Sequence, residues 1–249
     1  MAETHPNRTI LRITGPERED FLQGLVTCNV KGLSGLSYGA LLTPQGKYIA
    51  DFFLMPEDGA ILLDVDTSLA DDLLKKLKMY KLRAKVEVEE TDLYAIRGIG
   101  DAPEGAAPDP RHPALGWRLY RAEPGSAPQI DWDAIRVEHC IPATGSELGP
   151  DTFILEAGFD RMNGVDFRKG CYVGQEVTAR MRHKTELRKG FVTVAVDGTA
   201  EAGTPLTAED GKEAGHLGTV SGDKAIAYLR FDRAKGPMTA GEARVTWDG

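Results

Sequence analysis

Lys169-Gly170-Cys171-Tyr172-Val173-Gly174-Gln175-Glu176 is the stretch from which the rest of this 249-residue sequence is best read. Its cysteine follows the cationic pair Arg168-Lys169, lies between two glycines, and stands just ahead of residues 175–181, which hold no helix breaker. A thiol is a nucleophile or ligand only as thiolate, and nearby cations or a helix N-terminus favour that form. Gly174 can serve as the N-cap, and glycines let another molecule approach the backbone closely. Burial as a small hydrophobe is the commonest fate of a free cysteine. That is the reading for Cys28 and Cys140. The surround of Cys171 predicts a thiol built for contact.

Outward from this stretch the charge is uneven. The chain carries a formal net charge of −8, which disfavours nonspecific nucleic-acid binding. Yet between Arg168 and Lys189 seven basic residues (Arg168, Lys169, Arg180, Arg182, Lys184, Arg188, Lys189) outnumber two acidic ones (Glu176, Glu186). A solvated basic face and a local field that draws an anionic ligand toward the cysteine both account for such a run. The 41% hydrophobic and 27% charged content is ordinary for a globular protein. The length suits one large domain or two modest ones. No apolar run approaches the roughly 20 residues that span a bilayer. The first eight residues lack an apolar segment and include Glu3, so neither a secretory signal nor a transit peptide is expected there. Three cysteines without a Cys-x-x-Cys pair argue for a reducing compartment. They argue against a zinc site or an iron–sulfur cluster held by this chain alone.

Residues 8–13 alternate apolar and polar and predict a strand, broken by Gly15-Pro16. A short helix is expected over 18–26, with Phe21, Leu22 and Leu25 on one face. Strands at 38–42 and 48–55 are joined by Thr43-Pro44-Gln45-Gly46-Lys47, a hairpin signal, and 60–65 is another strand. The clearest helix is 68–82, with Ser68 as its cap and Leu69, Leu73, Leu74, Leu77 and Tyr80 at helical spacing. Val86 and Val88 alternate with charges, 93–99 and 117–121 read as strands, and 101–113 reads as a loop. Asp131 caps a helix running to about Cys140, before Pro142. Beyond residue 190, strands at 191–196, 216–220, 225–229 and 243–247 are separated by Gly-rich turns, as in a small antiparallel barrel or sandwich. An α+β body over residues 1–189 followed by a β module over 190–249 is the expected organisation.

Trp132, Glu138 and His139 share the helix before Pro142. An aromatic face with a carboxylate six positions on could bind a heterocycle, and a core tryptophan with a surface glutamate is an equal reading. Gln175 and Glu176 could serve the helix terminus or the polar edge of a ligand. His139 and His183 are read as structural or solvent-exposed. No phosphate loop and no Ser/His/Asp arrangement is present.

The octapeptide, continued by Val177-Thr178-Ala179-Arg180, resembles the signature of the YgfZ family. These are folate-binding relatives of the glycine-cleavage T-protein and include mitochondrial iron–sulfur assembly factors. Phe21-Leu22-Gln23-Gly24-Leu25-Val26-Thr27 and Leu42-Thr43-Pro44-Gln45-Gly46-Lys47 resemble the family's N-terminal landmarks. Residues 153–167 resemble the approach to the motif, and the β tail resembles the family's barrel, so the likeness covers nearly the whole chain. It implies a T-protein-like (aminomethyltransferase-like) α+β body that holds tetrahydrofolate or a one-carbon derivative, with a small C-terminal antiparallel β-barrel.

The resemblance further implies a role in assembly, maturation or repair of iron–sulfur proteins, with those proteins or their assembly machinery as transient partners and no membrane. Cys171 is the implied functional thiol, with Lys169 beside it, and Gly170, Tyr172, Gly174, Gln175, Glu176 and Arg180 frame it as ligand-contacting positions. Trp132, in a Trp-x-Ala-x-x-Val-Glu context, and Glu138 match the family's folate contacts. A second family tryptophan near the first strand has no counterpart; Arg8 stands in that region. No resident metal is implied. The expected compartment is the cytoplasm of a bacterium or the mitochondrial matrix of a eukaryote.

An aminomethyl or other one-carbon transferase like T-protein is the alternative. T-protein uses an aspartate in a segment led by asparagine. The corresponding stretch is 62–74, where Asp66 replaces the asparagine and Asp71 and Asp72 fall out of clean register on a polar helix face. T-protein also lacks the cysteine octapeptide. Both differences favour an accessory factor over a classical enzyme, since kinship of fold does not fix function. An RNA-associated role through residues 180–189 is disfavoured by the net charge and the lack of interleaved aromatics.

Overall fold

The computed structural model describes residues 2–183 and 186–249; Lys184 of the basic run lies outside the described residues. In chain order the elements are β1 (Glu3–Thr4), β2 (Arg8–Thr14), α1 (Arg18–Gln23), β3 (Ser37–Leu42), β4 (Tyr48–Glu57), β5 (Ala60–Asp66), α2 (Thr67–Lys81), β6 (Glu87–Glu90), β7 (Tyr94–Gly98), β8 (Ala107–Pro108) and β9 (Trp117–Arg121). They continue with α3 (Trp132–Glu138), α4 (Gln175–His183), β10 (Lys189–Asp197), β11 (Pro205–Ala208), β12 (Glu213–Ser221), β13 (Lys224–Arg230), β14 (Met238–Ala240) and β15 (Ala243–Thr246). The chain divides into two compact units, Met1–Ile130 with Phe159–Ala179, and Asp131–Gly158 with Arg180–Gly249. Helix α3, and Trp132 with it, therefore belongs to the unit that contains the C-terminal strands.

The first unit holds a five-stranded antiparallel sheet, β3-β4-β5-β2-β6, and a four-stranded sheet, β1-β7-β9-β8. Strand β5 explains how both faces of the larger sheet are used. Its period of two sends Ile61, Leu63 and Val65 into a core completed by Ala70, Leu73 and Leu77 of α2. Leu62 goes the other way, into a small cluster with Ile10, Ala95 and Tyr120. Asp64 shares that side and is fully buried. It takes Arg8 Nε at 2.5 Å, Arg118 at 3.0 Å and the Tyr120 hydroxyl at 2.9 Å. Arg118 also reaches Asp109 at 3.0 Å, and Arg111 pairs with Asp109 at 2.9 Å. Burial alone would raise the Asp109 carboxyl, but Arg111 and Arg118 outweigh it and hold that group well below the usual carboxylate range. Arg8, which the resemblance sets in the region of an expected tryptophan, is thus a buried ion-pair partner.

Asp66, and not Ser68, caps α2. Its extended backbone (φ −60°, ψ 133°) lets Oδ1 accept from the Ser68 N–H at 2.9 Å and the Ser68 hydroxyl at 2.5 Å.

The second unit contains a closed antiparallel barrel, β10-β13-β12-β11-β14-β15. Val194, Val196, Leu206, Leu217, Leu229 and Val245 are among the residues that fill it. The closed circuit decides between the barrel and the sandwich. Two of its six strands carry no sequence signal: β11 has four residues and opens on proline, and β14 has three. No described helix is long and apolar enough to cross a membrane.

Candidate functional site

The motif is pinned from below by its lysine. Lys169 is 8% exposed. Its ammonium donates to the carbonyl oxygens of Val26 at 2.5 Å and Cys28 at 2.7 Å, and lies 5.3 Å from the centre of the Tyr172 ring. Removal from water lowers the lysine pKa to about 8. Thr27 completes the junction: its hydroxyl donates to the Gly164 carbonyl at 2.6 Å and accepts from the Ala40 N–H at 2.8 Å, while the Asp166 N–H donates to the Thr27 carbonyl at 2.9 Å. The N-terminal landmark around Val26-Thr27 is therefore the seat of the motif.

The second landmark grips the motif from the side. Gly174 has φ +84°, and a Cβ there would lie 2.7 Å from the Thr43 carbonyl oxygen and 2.9 Å from Leu42 Cβ. Gly46 has φ +76°, and its Cβ would lie 2.8 Å from Val177 Cβ. The hairpin 43–47 and the start of α4 approach each other at two glycines, a closeness no other residue type permits.

These anchors divide the octapeptide into inward and outward residues. Lys169, Tyr172 and Gly174 are buried, and Gln175 is half-buried, with its N–H on the Tyr172 carbonyl at 3.2 Å. Burial raises the Tyr172 phenol, against a hydrogen bond with Thr178. Gly170, Cys171 and Glu176 are exposed, as is Arg180 farther along α4. Gly170 has open space around it. Of the two residues expected to carry chemistry, Cys171 faces solvent and Lys169 faces two backbone carbonyls. The basic run splits likewise, with Arg168, Arg180, Arg182 and Arg188 exposed and Lys169 turned inward.

The remaining candidates lie elsewhere. Cys28 is buried against Gly39, and desolvation raises its thiol pKa. Cys140 is half-buried at the end of α3 with φ +48°. Trp132 is buried in the first turn of α3. Glu138 sits at its last residue, exposed and paired with Lys224 at 2.5 Å. Six positions on a helix turn the two side chains about 120° apart, so they do not form one contact surface. Asp71 and Asp72 are exposed on α2. Among the described residues no group of three His, Cys, Asp or Glu is arranged to hold a metal ion.

Sequence reading missed the residues whose role depends on tertiary partners. Glu147 is one. Its buried carboxylate takes Arg136 at 3.0 Å and the N–H of Ala143 and Thr219 at 2.9 and 2.8 Å. Glu156 is another, accepting from the Tyr228 hydroxyl at 2.7 Å.

Residues 188–248 match the family model of the CAF17 C-terminal β-barrel domain. The chain is 33% identical to the iron-sulfur cluster assembly factor IBA57, mitochondrial, of Mus musculus, over 93% of this chain and 78% of that protein. The chain belongs to the IBA57 family. The Homo sapiens member is 32% identical over the same shares, 93% and 78%. The Neurospora crassa IBA57 homolog is 33% identical over 74% of this chain, which spans 51% of that relative's length. Among solved structures, glycine cleavage system aminomethyltransferase T from Bartonella henselae superposes with a TM-score of 0.77 at 12% identity, covering 98% of this chain and 83% of the other. The fold of this chain is thus aminomethyltransferase-like, an α+β body with a C-terminal barrel.

Proposed function

We propose that this protein is an accessory factor in the assembly, maturation or repair of iron–sulfur proteins, and that Cys171 of its YgfZ-like motif is the thiol on which the role depends. One observation carries the proposal: Cys171 is exposed on a segment whose neighbours are fixed by Lys169 on one side and Gly174 on the other. A thiol on an anchored, open segment is accessible to a large partner without rearrangement of the core. The names of the family members supply the process. The partners are iron–sulfur proteins or their assembly machinery, met in the mitochondrial matrix of a eukaryote or the cytoplasm of a bacterium. The test is complementation in cells lacking their own factor. Cys171→Ser should fold normally and fail to restore iron–sulfur enzyme activity; full restoration overturns the thiol role.

We propose further that the protein binds tetrahydrofolate or a one-carbon derivative, on the strength of the family resemblance. The two nominated contacts fit this unequally. Trp132 offers a fixed ring, whereas Glu138 reaches a ligand only by giving up Lys224. Titration with tetrahydrofolate, followed by tryptophan fluorescence in the wild type and in Trp132→Phe, tests the claim. Absence of saturable quenching refutes it. The transferase alternative is disfavoured by Asp66, which is spent on capping α2, and by the exposure of Asp71 and Asp72. Turnover of an aminomethylated lipoyl carrier to methylene-tetrahydrofolate would reverse that preference.

A further inference from the structure

Helix α2 ends in a turn that displays a leucine. From residue 73 to 86 the chain carries six cations (Lys75, Lys76, Lys78, Lys81, Arg83, Lys85) and no carboxylate, in a protein of net charge −8. Among the described residues, the two most exposed large hydrophobic side chains stand inside this run: Met79 at 58% and Leu82 at 86%. Helical spacing puts Lys75, Lys78 and Met79 on the side of α2 away from Leu73 and Leu77, which enter the core. Leu82 follows Met79 three positions on.

Leu82 is costly where it stands. Its backbone has φ +40° and ψ −96°, near the first central position of a type II′ turn, which glycine dominates. The Ala84 N–H closes that turn on the Lys81 carbonyl at 2.6 Å. The turn is also held from outside. Lys81 Nζ donates to the Val86 carbonyl at 3.0 Å, and the Lys85 N–H donates to the Glu17 carboxylate at 3.0 Å. Gly15 packs so closely that a Cβ there would lie 2.1 Å from the Lys85 carbonyl oxygen. The fold thus holds a strained residue rigidly and gains almost no burial from its side chain. Strain of this kind persists where function uses it.

The charges select a class of partner. Lys75 pairs with Asp72 and Lys81 with Glu87, whereas Lys76, Lys78, Arg83 and Lys85 pair with no carboxylate among the described residues. Salt confines fields to about 10 Å, so at contact this run outweighs the net charge of the protein. Nucleic-acid sites interleave aromatic rings, and the run holds only Tyr80, half-buried against the core. Protein interfaces under-use leucine as an anchor and are depleted in lysine. A projecting aliphatic pair among long cationic side chains suits a bilayer surface, where leucine enters the headgroup layer and lysines stay among the phosphates. We infer that the end of α2 and the turn 81–84 form a docking surface for an anionic phospholipid bilayer. The contact is peripheral, and it departs from the expectation that no membrane is met.

The test uses the full chain with vesicles of phosphatidylcholine alone, or of phosphatidylcholine mixed with an equal part of phosphatidylglycerol. Co-sedimentation should show binding to the mixed vesicles only, weakening as salt rises. Lys78→Gln and Arg83→Gln should each weaken it about fivefold, the share of one cation at an anionic surface. Leu82→Gly should also weaken it about fivefold. Its thermal midpoint should be unchanged or raised, because glycine fits that backbone. The emission of Leu82→Trp should shift to the blue on the mixed vesicles. Equal binding to both vesicle types, or to neither, overturns the inference. So does wild-type binding by the three variants, or a Leu82→Trp emission that stays unchanged in the bound protein. Binding of poly-glutamate without binding of the mixed vesicles would make this a surface for an acidic protein, and overturns it too.

Discussion

Lys169 donates from Nζ to the Cys28 carbonyl oxygen at 2.7 Å, across 141 residues of sequence. The second acceptor, the Val26 carbonyl at 2.5 Å, makes this a two-point clamp between the motif and the N-terminal landmark. Removing the ammonium takes a charged donor from both carbonyls. Lys169→Met leaves the buried Val26 and Cys28 carbonyls without this donor, and should cost about 1–3 kcal/mol of stability at neutral pH, the penalty of unsatisfied buried acceptors. Urea unfolding of the two proteins measures this, and equal midpoints would show that the clamp carries no weight.

The same lysine gives a pH dependence of defined sign. Its folded pKa is lowered to about 8 from the ordinary lysine value of 10.5. Between these values the unfolded chain holds a proton that the folded protein has released. Stability of the wild type thus rises with pH over that window relative to Lys169→Met, by about 2 kcal/mol between pH 7.5 and 10. The Cys28 thiol interacts with the Lys169 ammonium, so both proteins are compared in a Cys28→Ala background. Paired unfolding curves at the two pH values decide it; a gap that stays constant or narrows contradicts the burial of the ammonium.

Two glycines of the motif should respond oppositely to one added methyl group. At Gly174 the backbone has φ +84°, and the new Cβ meets the Thr43 carbonyl oxygen at 2.7 Å. Gly174→Ala should cost about 2 kcal/mol or more through strain and a clash with backbone that cannot step aside. At Gly170 nothing lies within 4 Å, and Gly170→Ala should stay within about 0.5 kcal/mol. Thermal unfolding of both variants checks the contrast.

How far the sequence carries differs from residue to residue, for physical reasons. Local patterns located the central elements: the alternation at Arg8, the leucines of α2 and the Pro-Gln-Gly turn each encode their own structure within a few residues. The exposure of Cys171 was legible because glycines and cations beside a thiol are a local signal. The inward turn of Lys169 was not, since its partners are backbone carbonyls at Val26 and Cys28, and backbone has no letter in a sequence. Asp64, Arg111 and Arg118 were missed for a related reason: single charged residues in two strands and a turn become a buried network only once the tertiary fold brings them together. Strands β11 and β14 are too short to show a period. Tertiary pairing with longer neighbours forms them.

Cys140 carries the chain out of α3 in a conformation that suits another residue. Its φ is +48°. The Ile141 N–H returns to the Arg136 carbonyl at 2.8 Å and the Cys140 N–H to Val137 at 3.3 Å, the pairing that closes a helix through a left-handed residue. Glycine adopts that region without strain, whereas a β-branched side chain resists it. Cys140→Val should therefore be less stable than Cys140→Gly by about 1–2 kcal/mol. Equal stabilities would place the C-terminal turn of α3 in some other conformation.

Glu147 and Glu138 form ion pairs that look alike on a distance list and should differ in energy. Glu147 is fully buried and meets Arg136 at 3.0 Å, with Arg136 only 11% exposed. Glu138 meets Lys224 at 2.5 Å, but the two side chains are 54% and 41% exposed. Glu147→Ala takes from the Arg136 guanidinium its buried carboxylate, leaving it Asp133 at the surface, and removes the acceptor for Ala143 and Thr219. It should cost about 3–5 kcal/mol, as breaking a buried pair does. Lys224→Ala separates charges that water and salt already screen, and should leave the unfolding midpoint nearly unchanged, the more so in high salt. Urea denaturation at low and high ionic strength tests both expectations together. A small loss for Glu147→Ala would mean that the loop 143–152 is held to the barrel by packing and not by this carboxylate.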